Sequence, residues 1–185
     1  MHQKLYPGIL DDSFEFFVSH GNRMFFNNGA VNPITHLPFS IVDLLNKEIE
    51  KNPEAKAILM EWHPDSEFKQ MAQLIECRFS GLDFTPDVKE GVLQEAEYWE
   101  CPKRGNCAGE GILCKSFELN GHVFNKTEIK LIQLSTTDKT NEVIADELDL
   151  PLGTFHKMKQ SIHQNLGNVQ TKQRLTQIAY HHNLI

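Results

Sequence analysis

Thr140-Asn141-Glu142-Val143-Ile144-Ala145-Asp146-Glu147-Leu148-Asp149-Leu150-Pro151-Leu152-Gly153-Thr154-Phe155-His156-Lys157-Met158-Lys159-Gln160-Ser161-Ile162-His163-Gln164 reads as two helices joined by a turn. Thr140 stands in capping position. Behind it Val143, Ile144, Ala145 and Leu148 form the apolar stripe of a short helix closing near Asp149. A tight turn through Leu150-Pro151-Leu152-Gly153 leads into a longer helix, on which Phe155, Met158, Ile162 and Leu166 recur at spacings of three and four and therefore face inward. The other side carries His156, Lys157, Gln160, His163 and Gln164, with Lys159 on the flank and no carboxylate. A helix entering a DNA major groove needs such a face, because carboxylates are repelled by phosphate whereas Lys, Gln and His donate to base-edge acceptors.

Working outward, Asn125 and Glu128 have the spacing of a capping box, with Ile129, Leu131, Ile132 and Leu134 as the apolar face of a helix over about 126–135. Charge divides the chain in the same sense. From Pro151 to Ile185 there is no Asp or Glu, while Lys157, Lys159, Lys172 and Arg174 give +4. Residues 1–120 carry 11 Lys+Arg against 19 Asp+Glu, net −8, within a chain of net charge −7. A basic end on an acidic body fits a nucleic-acid-binding segment attached to something that is not one.

In these features residues 124–185 resemble the LuxR-type helix-turn-helix, the four-helix effector domain found at the C-terminus of many response regulators. The likeness runs without a gap through Thr140–Leu148, Gly153-Thr154-Phe155, Ile162, Leu166-Gly167, Val169 and Asn183-Leu184-Ile185. It implies a domain over 121–185 that binds double-stranded DNA, with Thr154, His156, Lys157, Lys159, Gln160, His163 and Gln164 on the DNA-facing side and Lys172 at a phosphate. The family's base-facing positions fall on His156, Lys157 and Gln160. It also implies a homodimer through the last helix, on the face of Leu175, Ile178 and Ala179. The family usually has Lys at the places of His156 and often of Gln160, His at that of Met158 and Ser at that of Pro151. Two of these departures lower the electrostatic share of affinity.

The first 120 residues read as a separate acidic domain. Phe14–Val18 and Arg23–Phe26, with turn chemistry at Asn27-Asn28-Gly29, suggest a small hairpin. Ser40 stands as a cap before a helix through Ile49. Further helices follow over 54–62 and 65–78, the latter opening at Asp65 and turning Phe68, Met71, Leu74 and Ile75 inward. From Phe79 to Lys115 periodicity fails among Gly81, Pro86, Gly91, Pro102, Gly105, Gly109 and Gly111, and Asn120-Gly121 reads as a linker.

The poorly apolar stretch contains Cys101, Cys107 and Cys114, with Cys77 at the end of the preceding helix. Four thiolates satisfy a tetrahedral structural zinc site, and cytoplasmic thiols seldom form disulfides. An iron–sulfur cluster, which would make the protein a redox sensor, fits the same residues. Free buried thiols or disulfides would account for them without a metal. The expected fold class is mainly α: a C-terminal four-helix LuxR-type domain, and a mostly helical N-terminal domain with a small hairpin and a cysteine-rich, metal-stapled segment over 77–114.

No signal-peptide run opens the chain, and no stretch reaches the roughly 18 apolar residues of a membrane helix, so a cytoplasmic protein without a membrane partner is expected. There is no Walker loop, Gly-x-Ser-x-Gly or His-Glu-x-x-His, and an enzyme is not expected. The expected function is a DNA-binding transcriptional regulator with a sensing or recruiting N-terminal domain. Its rivals are an iron–sulfur redox-sensing regulator and a protein-interaction adaptor whose helix-turn-helix fold has lost DNA.

Overall fold

Apolar alternation over the first strand builds the floor of the N-terminal core. In the computed structural model, which describes residues 5–99, 101–104, 106–182 and 184–185, β1 (Glu15–Ser19), β2 (Asn22–Asn27) and β3 (Ala30–Pro33) form one antiparallel sheet in that order. Gly105 and Asn183, which the sequence reading uses, and residues 1–4 lie outside the described residues. Phe16 pairs with Phe25 across the sheet, and both are buried on its inner face with Phe14 and Phe79. A single 3-10 turn, Ile34–His36, leads to three helices: α1 (Phe39–Lys51), α2 (Pro53–Trp62) and α3 (Glu67–Arg78). Ile41, Leu45 and Ile49 recur every four residues on α1 and bury one stripe against Leu59 of α2 and Met71, Leu74 and Ile75 of α3.

The helix starts differ in detail from the sequence reading. Pro38, not Ser40, precedes α1 and supplies no side-chain bond, and Ser66, not Asp65, caps α3 by accepting from the Lys69 N–H. Phe68 does not turn inward; it is 45% exposed.

The chain divides into two compact units, Met1–Lys115 and Ser116–Ile185. Two short hairpins follow α3 in sequence: β4 (Val88–Lys89) with β5 (Val92–Leu93) in the first unit, and β6 (Glu118–Leu119) with β7 (His122–Val123) in the second. Asn120-Gly121 is therefore no linker but the turn of β6–β7, with φ of 54° and 77°. Both central residues sit in the left-handed region, which a two-residue hairpin requires and Asn-Gly tolerates. The second unit continues with α4 (Lys126–Ser135), α5 (Asn141–Glu147), α6 (Leu152–Asn165) and α7 (Lys172–His181).

The mainly α expectation needs correction on three counts. Seven helices are accompanied, among the described residues, by three antiparallel sheets, and the expected small hairpin is a three-stranded sheet. The C-terminal unit is not a plain four-helix domain: β6–β7 opens it, and Phe117 and Phe124, buried and stacked 4.8 Å apart, anchor that hairpin.

The third correction concerns the cysteine-rich segment, which is not metal-stapled. Among the described residues no group of three or more His, Cys, Asp or Glu is placed to hold a metal ion, and Cys77, Cys101, Cys107 and Cys114 are free, half-buried thiols. Cys77 accepts a hydrogen bond at Sγ from Gln73 Nε2 (3.4 Å), and burial pushes its thiol up to about 11.

What holds residues 79–115 is polar stitching. Arg104, 7% exposed, donates from Nε to the Trp99 carbonyl (3.1 Å) and from Nη2 to the Lys115 carbonyl (2.8 Å), with its guanidinium 4.3 Å from the centre of the Tyr98 ring. The Trp99 indole donates to the Cys77 carbonyl (3.2 Å), and Leu113 enters the core. At the other end, the Phe16 N–H donates to Asp87 Oδ2 (2.6 Å), the Asp83 N–H to Glu15 Oε1 (2.8 Å) and the Gly81 N–H to Glu97 Oε1. The Phe14 N–H donates to the Val88 carbonyl (2.9 Å) and ties β4 to the start of β1.

Candidate nucleic-acid interface

The C-terminal unit is built by caps and apolar stripes. Asn125 and Glu128 form the reciprocal capping box of α4, the Asn125 side chain accepting from the Glu128 N–H (3.0 Å) and Glu128 Oε2 from the Asn125 N–H (2.9 Å). Thr140 caps α5. Between α5 and α6 the chain reverses at Asp149, whose φ of 52° is left-handed, and the Leu150 N–H reaches back to the Ala145 carbonyl (2.9 Å) to close the helix end. The turn thus spans Leu148 to Pro151; Leu152 and Gly153 already belong to α6.

Phe155 and Ile162, both fully buried, fix the rotation of α6, with Leu166 just beyond its end; Met158 is only half-buried. That rotation leaves Thr154, His156, Lys157, Gln160 and Gln164 exposed on the outer side. No carboxylate lies on the helix.

The other three expected contact residues are engaged within the unit. Lys159 Nζ donates to Asn141 Oδ1 at the start of α5 (2.8 Å), and burial holds its pKa below the usual lysine range. His163 turns toward its own helix end, where Nδ1 donates to the Val169 carbonyl (3.0 Å). Its Nε2 is buried without a partner among the described residues, and burial keeps the ring below the ordinary imidazole range. Lys172, exposed at the start of α7, donates to the Thr137 carbonyl.

Two further charges bear on the surface: Arg174, one of the four cations counted over 151–185, and Glu142, which no sequence pattern singles out. Glu142, exposed in the first turn of α5, is held below the usual carboxylate range by its own backbone N–H and by Thr140, with a smaller attraction to His156. Arg174, exposed in the first turn of α7, adds a cation.

The expected dimer face is not available. Leu175, Ile178 and Ala179 are 2%, 8% and 0% exposed, because they are the stripe that seats α7 in its own unit. The outer side of α7 presents Gln173, Arg174 and Tyr180 instead.

No family model, curated protein or solved structure matches the chain. Among the described residues no helix is long and apolar enough to cross a membrane.

Proposed function

We propose that residues 116–185 bind double-stranded DNA by laying the outer face of α6 in the major groove, and that the chain regulates transcription. The observation that carries this reading is the exposed, carboxylate-free row Thr154, His156, Lys157, Gln160 and Gln164, held outward by fully buried Phe155 and Ile162 on a helix packed against α5. Lys157 and Gln160 supply donors for base-edge acceptors, and Lys172 and Arg174 at the start of α7 stand where a backbone phosphate is reached by a helix N-terminus. The acidic N-terminal unit contributes nothing to phosphate affinity and takes the sensing or recruiting role.

The test is fluorescence anisotropy of the full chain against duplex DNA over a salt series. Binding should weaken steeply with salt. Lys157→Ala with Lys172→Ala should weaken it further and flatten the slope by about one for each phosphate no longer neutralised. A slope near zero sinks the reading.

A second reading, a protein-interaction adaptor that has left DNA behind, is favoured by one observation: Lys159, His163 and Lys172 already spend donors on Asn141, Val169 and Thr137. Only Lys157 and Arg174 then remain as exposed, permanently charged side chains over 151–185 with no backbone or α5 partner among the described residues. An adaptor gives no salt slope on DNA.

A further inference from the structure

The N-terminal unit contains a cavity of about 560 Å³ between the β1–β2 turn, the 3-10 turn and the first turns of α3. Its volume is that of a small-molecule site, for which a few hundred to a thousand Å³ is usual. Arg23, His63 and Lys69 line it, and no Asp or Glu does. In a unit of strongly acidic composition, a wall with three basic side chains and no acid is the exception.

The basic groups differ in how far they are committed. Arg23 Nη2 is paired with Glu76 of α3, which fixes the guanidinium in place, while its Nε is buried with no partner among the described residues. Neither the Lys69 ammonium nor the His63 ring has a side-chain partner among the described residues; the only bonds found for His63 use its main chain.

The remaining wall is apolar. Ile34 and Ala72 are buried behind it, and Phe68 stands 45% exposed beside it. Phe68 lies on the stripe that helical spacing turns toward the core, yet it packs on the cavity wall instead. An exposed aromatic ring next to the Lys69 ammonium and a fixed guanidinium suits a ligand with an apolar body and an anionic end.

From this juxtaposition we infer that the cavity binds a small organic carboxylate, its acid group held by Arg23 and Lys69 and its apolar body laid against Phe68. The site stands independently of whether α6 binds DNA, because it is measured by direct binding. If both hold, it gives the N-terminal unit an effector.

Calorimetric titration of the full chain with phenylacetate tests the assignment, with phenylacetamide as the uncharged isostere. Phenylacetate should bind saturably and at least about tenfold more tightly than the amide, a ratio a partly desolvated ion pair supplies. Arg23→Gln risks the fold because it strips Glu76 of its partner, so the exposed Lys69→Ala carries the test. It should weaken phenylacetate about fivefold and leave phenylacetamide unchanged, whereas Phe68→Ser should weaken both. Equal affinity for acid and amide, no response to Lys69→Ala, no saturation by phenylacetate, or competition by inorganic phosphate as strong as that of phenylacetate each overturns it.

Discussion

The two units answer the same folding problem with different materials. Over 116–185 the helices are specified locally, by caps and by an apolar stripe along one side, so that Asn125 and Thr140 begin α4 and α5 where the residue pattern says they should, and Thr171 caps α7 in the same way. Over 79–115 few stripes exist. The chain there is held by charged and polar side chains that accept or donate across long separations, as Asp87 does from the Phe16 N–H, 71 positions away. Local specification tolerates loss of a single polar group, whereas polar stitching depends on each one, because a buried backbone donor left unpaired costs far more than a surface bond is worth.

That contrast is testable because both tryptophans, Trp62 and Trp99, lie in the first unit. Their fluorescence follows 1–115, while helical circular dichroism also follows 116–185. The largest effect is expected from Phe155→Ala. The ring is fully buried and positions α6, so its loss should cost about 3–5 kcal/mol. Ellipticity should fall in an early transition that tryptophan fluorescence does not report. A single shifted transition seen by both probes would show that the units do not unfold separately.

Next in size comes pH. Glu15, 0% exposed, has one oxygen bonded and Oε2 buried without a partner among the described residues; burial pushes its pKa up to about 9. Burial pushes Glu97 up to about 8 and raises Asp87 well above the carboxylate range, with Asp83 and the other carboxylates adding repulsion. Among the described residues no cation is one of the groups that shift these three. Between the ordinary carboxylate pKa and these raised values the folded unit holds protons that the unfolded chain has released. Stability is therefore full below the ordinary carboxylate pKa and declines as pH rises toward about 8–9. The fluorescence-detected melting temperature should drop by more than about 5 °C between roughly pH 5 and pH 8.5. Glu15→Gln should flatten that decline, and a melting temperature that rises over the same range would refute the protonated state of the cluster.

Asp87→Ala comes third. It leaves the buried Phe16 N–H unpaired and should cost about 1–3 kcal/mol, read by tryptophan fluorescence alone, while Asp87→Asn keeps an acceptor and should restore most of it. Equal losses for both would mean that the carboxylate holds the strand through charge, not through this bond.

These differences explain which features are legible in the residue order. The four C-terminal helices and their faces follow from period and caps, which are local. So do the buried Phe155, Ile162 and Leu166 and the outward Lys157 and Gln160. The burial of Glu15 under the Asp83 N–H and the bond from the Phe16 N–H to Asp87 join residues 68 and 71 positions apart, and no spacing rule contains them. Glu15 illustrates the limit. By strand alternation it belongs opposite Phe16 and therefore on the outside, and it is buried only because the segment after α3 folds over that face. The thiols mislead for a related reason: four cysteines close in sequence suggest a ligand set, but the segment already has its anchor in Arg104. On α6, alternation between inside and outside is readable, but the capture of Lys159 by Asn141 and of His163 by the Val169 carbonyl is not, since both depend on where the neighbouring turn passes.

The smallest effect sharpens the contrast from the other side. If local specification governs 116–185, removing one cap should be a modest loss confined to that unit. Asn125→Ala deletes the acceptor of the Glu128 N–H, and the freed Glu128 carboxylate still faces the Asn125 N–H and the His122 ring (3.2 Å). With one half of the capping box and the whole stripe of Ile129, Leu131 and Ile132 intact, the cost should be about 1 kcal/mol in the circular-dichroism transition, with tryptophan fluorescence unmoved. A loss several times larger would mean that α4 is held at its start as the first unit is held throughout, by a buried polar bond with no local substitute.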